Sequence, residues 1–303
     1  MTRLLRLLSL SLALSLTLSA CADQGAPHLA RGNVLVNNGK KEEAVVEYRE
    51  AARLSPKNDV PRQRLGDTLY DLGRRDEALA AYRDALKVTP GSLVARVGAA
   101  RVLADQGDLK AARSELDAAN QDAPTNLFVL LSRGNLAARA GDKKAALADY
   151  EKAVHLKSTN VPALYQYGLA LLEDGQKEEA GRTFDRLIQT APDSPTGFYG
   201  RARLAAAQGN AAAAGAALGQ ANKLVAEDAR RSLTEQGLKG DGLDQQAAKA
   251  VERSVQQLQA DPAFSAFAAD PTFRSAAGWP ASASPTKAAA PSVPAATQAA
   301  GQR

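Results

Sequence analysis

The chain has 303 residues, with 38 lysines and arginines against 33 aspartates and glutamates and a formal net charge of +5. A single cysteine excludes an intramolecular disulfide, and the two histidines, His28 and His155, have neither cysteine partners nor the His–Glu spacing of a zinc site. Basic clusters such as Lys40-Lys41 and Lys143-Lys144 are short and flanked by acids. That is the pattern of a solvated helix face, not of a nucleic-acid footprint.

At the N-terminus, Arg3 and Arg6 precede an uncharged Leu/Ser/Ala stretch at 7–18. It is too short for a comfortable membrane span, and residues 1–20 are expected to be a signal peptide. Without them the net charge falls to +3. The segment ends Leu18-Ser19-Ala20-Cys21, which resembles the bacterial lipobox. The resemblance implies cleavage before Cys21 and acylation of its thiol, with 21–26 as a short lipidated tether of about 20 Å maximum reach. Ala20-Cys21-Ala22 also fits the small-x-small pattern of ordinary signal cleavage, which would remove Cys21 and release a soluble periplasmic protein. By the lipobox resemblance, Ala22 in place of an aspartate implies sorting to the outer membrane, facing the periplasm. Asp23 stands next in line, and the inner membrane is the other destination.

Residues 25–226 carry six units. Gly39, Gly73, Gly107, Gly141, Gly175 and Gly209 recur every 34 residues, each followed five residues later by an alanine, Ala44 to Ala214. Eight residues into each unit stands a small side chain: Gly32, Gly66, Ala100, Gly134, Gly168 and Ala202. A bulky column holds Tyr48, Tyr82, Leu116, Tyr150, Phe184 and Leu218. Pro56, Pro90, Pro124 and Pro192 close four units; Ser158 and Ala226 take that place in the other two. Small residues let helices approach, bulky ones fill the space beside them, glycine turns the chain at positive φ and proline ends the second helix. Repeat 6 is unusually rich in alanine at 211–214, and looser packing is expected there.

These columns resemble the tetratricopeptide repeat. The resemblance implies an all-α, right-handed superhelical solenoid of six helix hairpins. It also implies a concave groove lined by the first helix of each unit, which takes protein or peptide segments. Mapped onto this sequence, the groove residues include Asn33, Gln63, Asp67, Tyr70, Arg101, Asp105, Asn135, Arg139, Tyr165, Leu169, Tyr199 and Arg203. Tyr165 and Tyr199 hold equivalent places one repeat apart, so they are expected to present adjacent aromatic faces. Arg101, Arg139 and Arg203 are suited to carboxylates of a partner.

After the repeats, residues 227–275 read as a cap over the last hydrophobic face. Leu243, Ala247, Val251, Val255 and Leu258 have helical spacing. Asp261-Pro262-Ala263-Phe264 and Asp270-Pro271-Thr272-Phe273 echo one another, each suited to opening a short helical turn. From 276 to 303 the Ala/Pro/Ser/Thr composition predicts disorder. Trp279 there is expected to be a loosely packed surface residue, or a docking handle.

No phosphate loop, catalytic constellation or metal-ligand spacing is present, so neither an enzyme nor a cofactor is expected. Lipobox and repeats together resemble pilus-assembly lipoproteins of the PilF and TadD type, which implies a membrane-anchored interaction scaffold. A soluble periplasmic chaperone or adaptor, and a non-catalytic subunit of an envelope polysaccharide or peptidoglycan synthase, are the other readings.

Overall fold

The computed structural model describes residues 23–279. The expected signal segment and Cys21, and residues 280–303 of the expected disordered tail, lie outside the described residues. Among the described residues every regular element is helical. Six pairs follow in order: α1 Ala26–Asn37 and α2 Lys41–Leu54; α3 Val60–Asp71 and α4 Arg75–Val88; α5 Leu93–Asp105 and α6 Leu109–Asp122; α7 Leu127–Arg139 and α8 Lys143–Leu156; α9 Val161–Glu173 and α10 Lys177–Thr190; α11 Thr196–Ala207 and α12 Ala211–Glu235. Then come α13 Asp241–Gln259, a 3-10 helix at Pro262–Phe267, and α14 Pro271–Ala277. The helices cluster into two compact units, divided between Leu136 and Ala137 inside α7.

Local chemistry sets the helix ends. All six turn glycines have positive φ, from 74° at Gly209 to 88° at Gly107. In the first turn the Lys40 N–H closes back on the Leu35 carbonyl at 2.8 Å, which satisfies a carbonyl the helix end leaves free. The second helices start in two ways. Asp108, Asp142 and Asn210 cap α6, α8 and α12 through side-chain oxygens that accept from the N–H three residues on. α2, α4 and α10 have no such cap and instead carry paired acids in the first turn: Glu42 and Glu43, Asp76 and Glu77, Glu178 and Glu179. These face the positive end of the helix dipole.

In the N-terminal unit consecutive helices from α1 to α6 pack on one another. The shared core includes Val45, Leu69, Tyr82, Val102, Leu116 and Val129. Its packing follows a rule visible across the repeats. Wherever the bulky column is aromatic, the small column is glycine; wherever it is leucine, the small column is alanine. The contacts give the reason. A Cβ on Gly32 would sit 2.5 Å from the Tyr48 ring, and one on Gly66 would sit 2.7 Å from the Tyr82 ring. Tyr82 is also pressed against Gly98 of the following unit, where a Cβ would come within 2.4 Å. An aromatic ring at this crossing leaves no space for a methyl group, whereas leucine does.

The C-terminal unit uses the same rule: Phe184 lies between Gly168 and Gly200, whose Cβ atoms would fall 2.4 Å and 2.2 Å from its ring. Its final helix differs. Ala226 stands where four other units have proline, and α12 runs on for 25 residues in one piece. The alanine-rich sixth repeat is not loose, contrary to the sequence expectation. α14 lies directly on α12, and a Cβ on Gly215 or Gly219 would meet backbone oxygens of Phe273 and Ala276 at 2.7 Å and 2.4 Å. Small residues on this face admit the C-terminal helix. The Asn222 amide, itself buried, donates to the Ala277 carbonyl at 2.9 Å and fixes the register.

Both Asp-Pro echoes form the turns expected of them. Asp261 and Asp270 accept from the N–H groups of Ala263 and Phe273, and Phe264 and Phe273 are fully buried. Trp279 corrects the sequence reading: it is 7% exposed and packs edge-on against Phe273 at 4.9 Å between ring centroids. Order thus extends through Gly278, whose φ of 68° ends α14, to Trp279.

Candidate binding groove

The first helices of each unit place the expected groove residues, and the two units treat them differently. In the N-terminal unit they form a polar and aromatic cluster on α3 and α5. The Tyr70 hydroxyl donates to Asp105 at 2.5 Å. The Arg101 guanidinium lies over the Tyr70 ring, 3.9 Å from its centroid, and Arg75 approaches the same ring at 5.7 Å. Arg101 also reaches Asp67 at 3.7 Å and donates to the Tyr82 hydroxyl at 3.4 Å. Tyr82 in turn donates to Asp67 at 2.6 Å. Tyr82 stood in the core column of the sequence; its ring is core, but its hydroxyl feeds the groove cluster.

Burial shifts these groups. Desolvation is the largest influence on the Asp67 carboxyl and raises it above its ordinary 3.8, against the lowering by Tyr82 and Arg101. Desolvation, then the bond to Asp105, raises Tyr70. The Arg101 and Asp67 side chains remain 43% and 40% exposed. The cluster is therefore held in place from below and open above, with a rigid aromatic and a stacked guanidinium at the surface.

The other expected groove residues of this unit do different work. Asn33 is exposed and accepts from the Tyr48 hydroxyl at 2.8 Å. Gln63 is half-buried; its amide donates to Asp59 at 2.6 Å and to Ser92 at 3.0 Å, tying the second repeat to the third. Asn135 at the end of this unit and Arg139 at the start of the C-terminal unit are both exposed on α7.

In the C-terminal unit the chain covers its own groove. The Tyr199 and Ser254 hydroxyls meet at 2.9 Å, and Arg203 is paired with Asp261 at 2.6 Å, with Asp261 only 12% exposed. Tyr199 packs into the cluster formed with Val255, Phe264 and Phe273. Tyr165 is half-buried, its ring 6.4 Å from Phe184. Burial is the chief influence on both tyrosines and raises both. Leu169 is half-buried on α9. The open pair of aromatic faces expected at 165 and 199 is thus not formed: α13 and the 3-10 helix lie there. Asp261, which neutralises Arg203, was read in the sequence only as a helix start. Its second role needs a contact 58 residues away in the chain.

A tetratricopeptide repeat family profile matches residues 64–126, 131–195 and 168–229, more than half of the chain. The chain belongs to the tetratricopeptide repeat family. A profile of the bacterial transcriptional activator domain matches residues 26–93, less than a quarter of the chain. A search of curated proteins found no match. Among solved structures, PilW, a type IV pilus biogenesis factor, is similar at 20% identity and TM-score 0.59, covering 66% of this chain and 93% of its own. Pseudomonas aeruginosa PilF gives 19%, 0.56, 66% and 91% in the same order. A thermophilic repeat protein of the same family from Thermus thermophilus gives 22%, 0.50, 61% and 98%. At these identities the likeness is one of fold. Among the described residues no helix is long and apolar enough to cross a membrane, and no group of three metal-ligating side chains converges.

Proposed function

We propose that this tetratricopeptide repeat protein is an envelope lipoprotein, acylated at Cys21, whose N-terminal unit holds a segment of a partner protein beside the membrane. The observation that carries the reading is the Tyr70–Arg101 cluster, open to solvent and rigidly seated, in a repeat groove whose C-terminal counterpart is already filled. A planar guanidinium stacked on tyrosine offers both an apolar face and donors for a carboxylate. The partner segment it suits carries an acidic residue next to an apolar or aromatic one. Pilus or secretion-system assembly is the proposed setting, supported by the fold shared with PilW and PilF together with the lipobox-like sequence at Cys21. The outer membrane, with the protein facing the periplasm, is the proposed location.

Two measurements test this. Metabolic labelling with a clickable fatty acid is expected to mark the wild type and not Cys21→Ser; equal labelling, or none in either, defeats the lipoprotein reading. Tyr70→Ala with Arg101→Ala is expected to weaken partner capture in crosslinked membranes by at least about 2 kcal/mol, or about thirtyfold in affinity, as central aromatic and arginine contacts do. Helical content is expected to stay unchanged. Undiminished capture would remove the groove from the mechanism.

A further inference from the structure

The described body begins close to Cys21. The Asp23 carboxylate accepts from the Gly25 N–H at 3.0 Å, from the Ser55 hydroxyl in a short bond, and from the Asn58 amide at 3.4 Å. Those bonds, the Ser55 one foremost, hold the carboxyl below its ordinary range. The Ala26 N–H adds a bond to the Asp23 carbonyl at 3.0 Å. The chain is therefore fastened to the loop between α2 and α3, and Ala22 alone separates Cys21 from the fastened residue. Two residues reach about 7 Å. Whatever holds Cys21 also holds this edge of the N-terminal unit.

That edge differs from the opposite one. Its loops are Ser55-Pro56-Lys57-Asn58-Asp59, Thr89-Pro90-Gly91-Ser92 and Ala123-Pro124-Thr125-Asn126, with Lys57 and Asp59 as their only charges. Just inside them, at the same place in three successive units, stand Val60, Val94 and Phe128, exposed by 37%, 44% and 46%. Of the adjacent second helices, two end near Arg53 and Lys87, paired with Glu50 and Asp84, and the third ends in an exposed Asp122; the Asp23 carboxylate adds one more charge here. The far edge, at the glycine turns, is laced with ion pairs: Lys40 with Glu43, Lys41 with Asp71, Arg74 with Glu42 and Glu77.

We propose that the edge carrying Val60, Val94 and Phe128 is a lipid-contact surface, seated in the headgroup region of the bilayer that holds the Cys21 acyl chains. This rests on the lipoprotein reading above and adds to it which face of the repeat stack meets the membrane. Apolar side chains spaced along an edge whose loops carry few charges suit an interfacial layer, where they leave water without stripping the charge from neighbouring groups. The charged turns then point away from the bilayer, and Asp23 is a structural fastener.

The test uses the full-length acylated protein in vesicles of phosphatidylethanolamine and phosphatidylglycerol. A photoreactive p-benzoylphenylalanine replaces Phe128, Val94 or, on the far edge, Lys110. Intact mass establishes acylation, and adducts are identified by mass spectrometry. The expected result is several-fold more phospholipid adduct from 128 and 94 than from 110. Absence of an acyl group on Cys21 overturns both this inference and the lipoprotein reading. An acylated protein that yields equal adducts from both edges, no lipid adduct, or protein adducts alone at 128 overturns the lipid-contact surface and leaves acylation standing.

Discussion

Tyr48, Tyr82 and Phe184 show how single methyl groups decide the packing. The ring of each occupies the space that a Cβ on the glycine beside it would need. Leucine partners tolerate alanine, as at Ala100 with Leu116 and Ala202 with Leu218, all buried. The pairing predicts a coupling measurable by a double-mutant cycle. Gly168→Ala alone is expected to cost about 1–3 kcal/mol through overpacking against Phe184. Phe184→Leu alone is expected to cost about 1–2 kcal/mol of lost burial. Together they are expected to cost less than the sum, with about 0.5–3 kcal/mol of favourable coupling in urea denaturation. Strict additivity would mean that the glycine is there for another reason. This rule was legible in the sequence, because both columns recur at a fixed period. The Arg203–Asp261 pair was not, since nothing local links a repeat position to a helix start far along the chain.

Among the elements, the proline column separates two kinds of exception. Ser158 follows the end of α8 at Leu156, so that helix stops without proline. Ala226 lies inside α12, which continues to Glu235 and carries both α13 and α14. The two positions look alike in the sequence and are expected to respond oppositely. Ser158→Pro is expected to be neutral or to stabilise by up to about 1 kcal/mol, because it restricts only the unfolded chain. Ala226→Pro is expected to cost about 3 kcal/mol or more, by removing a helix bond and kinking the platform under the cap. Thermal unfolding followed by circular dichroism checks both. Equal tolerance at the two sites would show that the second half of α12 contributes little to the fold.

Across the chain as a whole, all seven tyrosines are raised above their ordinary value of 10.0, each with burial as the first cause, Tyr167 to about 12. The consequence for stability has a definite sign. Above about pH 10 the unfolded chain loses phenolic protons that the folded chain keeps, so folding is progressively disfavoured as pH rises. Below that value the contribution is fully present. Alkaline titration is thus expected to show tyrosinate absorbance rising together with loss of helix, and not before it. Ionisation of most tyrosines near pH 10 with helices intact would contradict the burial described here. The same burial separates function across the molecule. The tyrosine at 199 is committed to the cap, whereas Tyr70, though bonded to Asp105, keeps a guanidinium-stacked face at an open site.

Residue pattern alone specified the six hairpins, their glycine turns, their period and the pairing of small with bulky columns at the crossings. These depend on backbone conformation and on residues a fixed distance apart, and a period exposes such constraints directly. It took the folded molecule to establish which groove residues remain open, why the sixth repeat is rich in small side chains, and that Asp23 is fastened to the loop at Ser55. Those facts arise where the last segments fold back over the stack and the first residues tuck against a later loop. Such contacts join places whose separation in the chain follows no repeat, so no local pattern announces them.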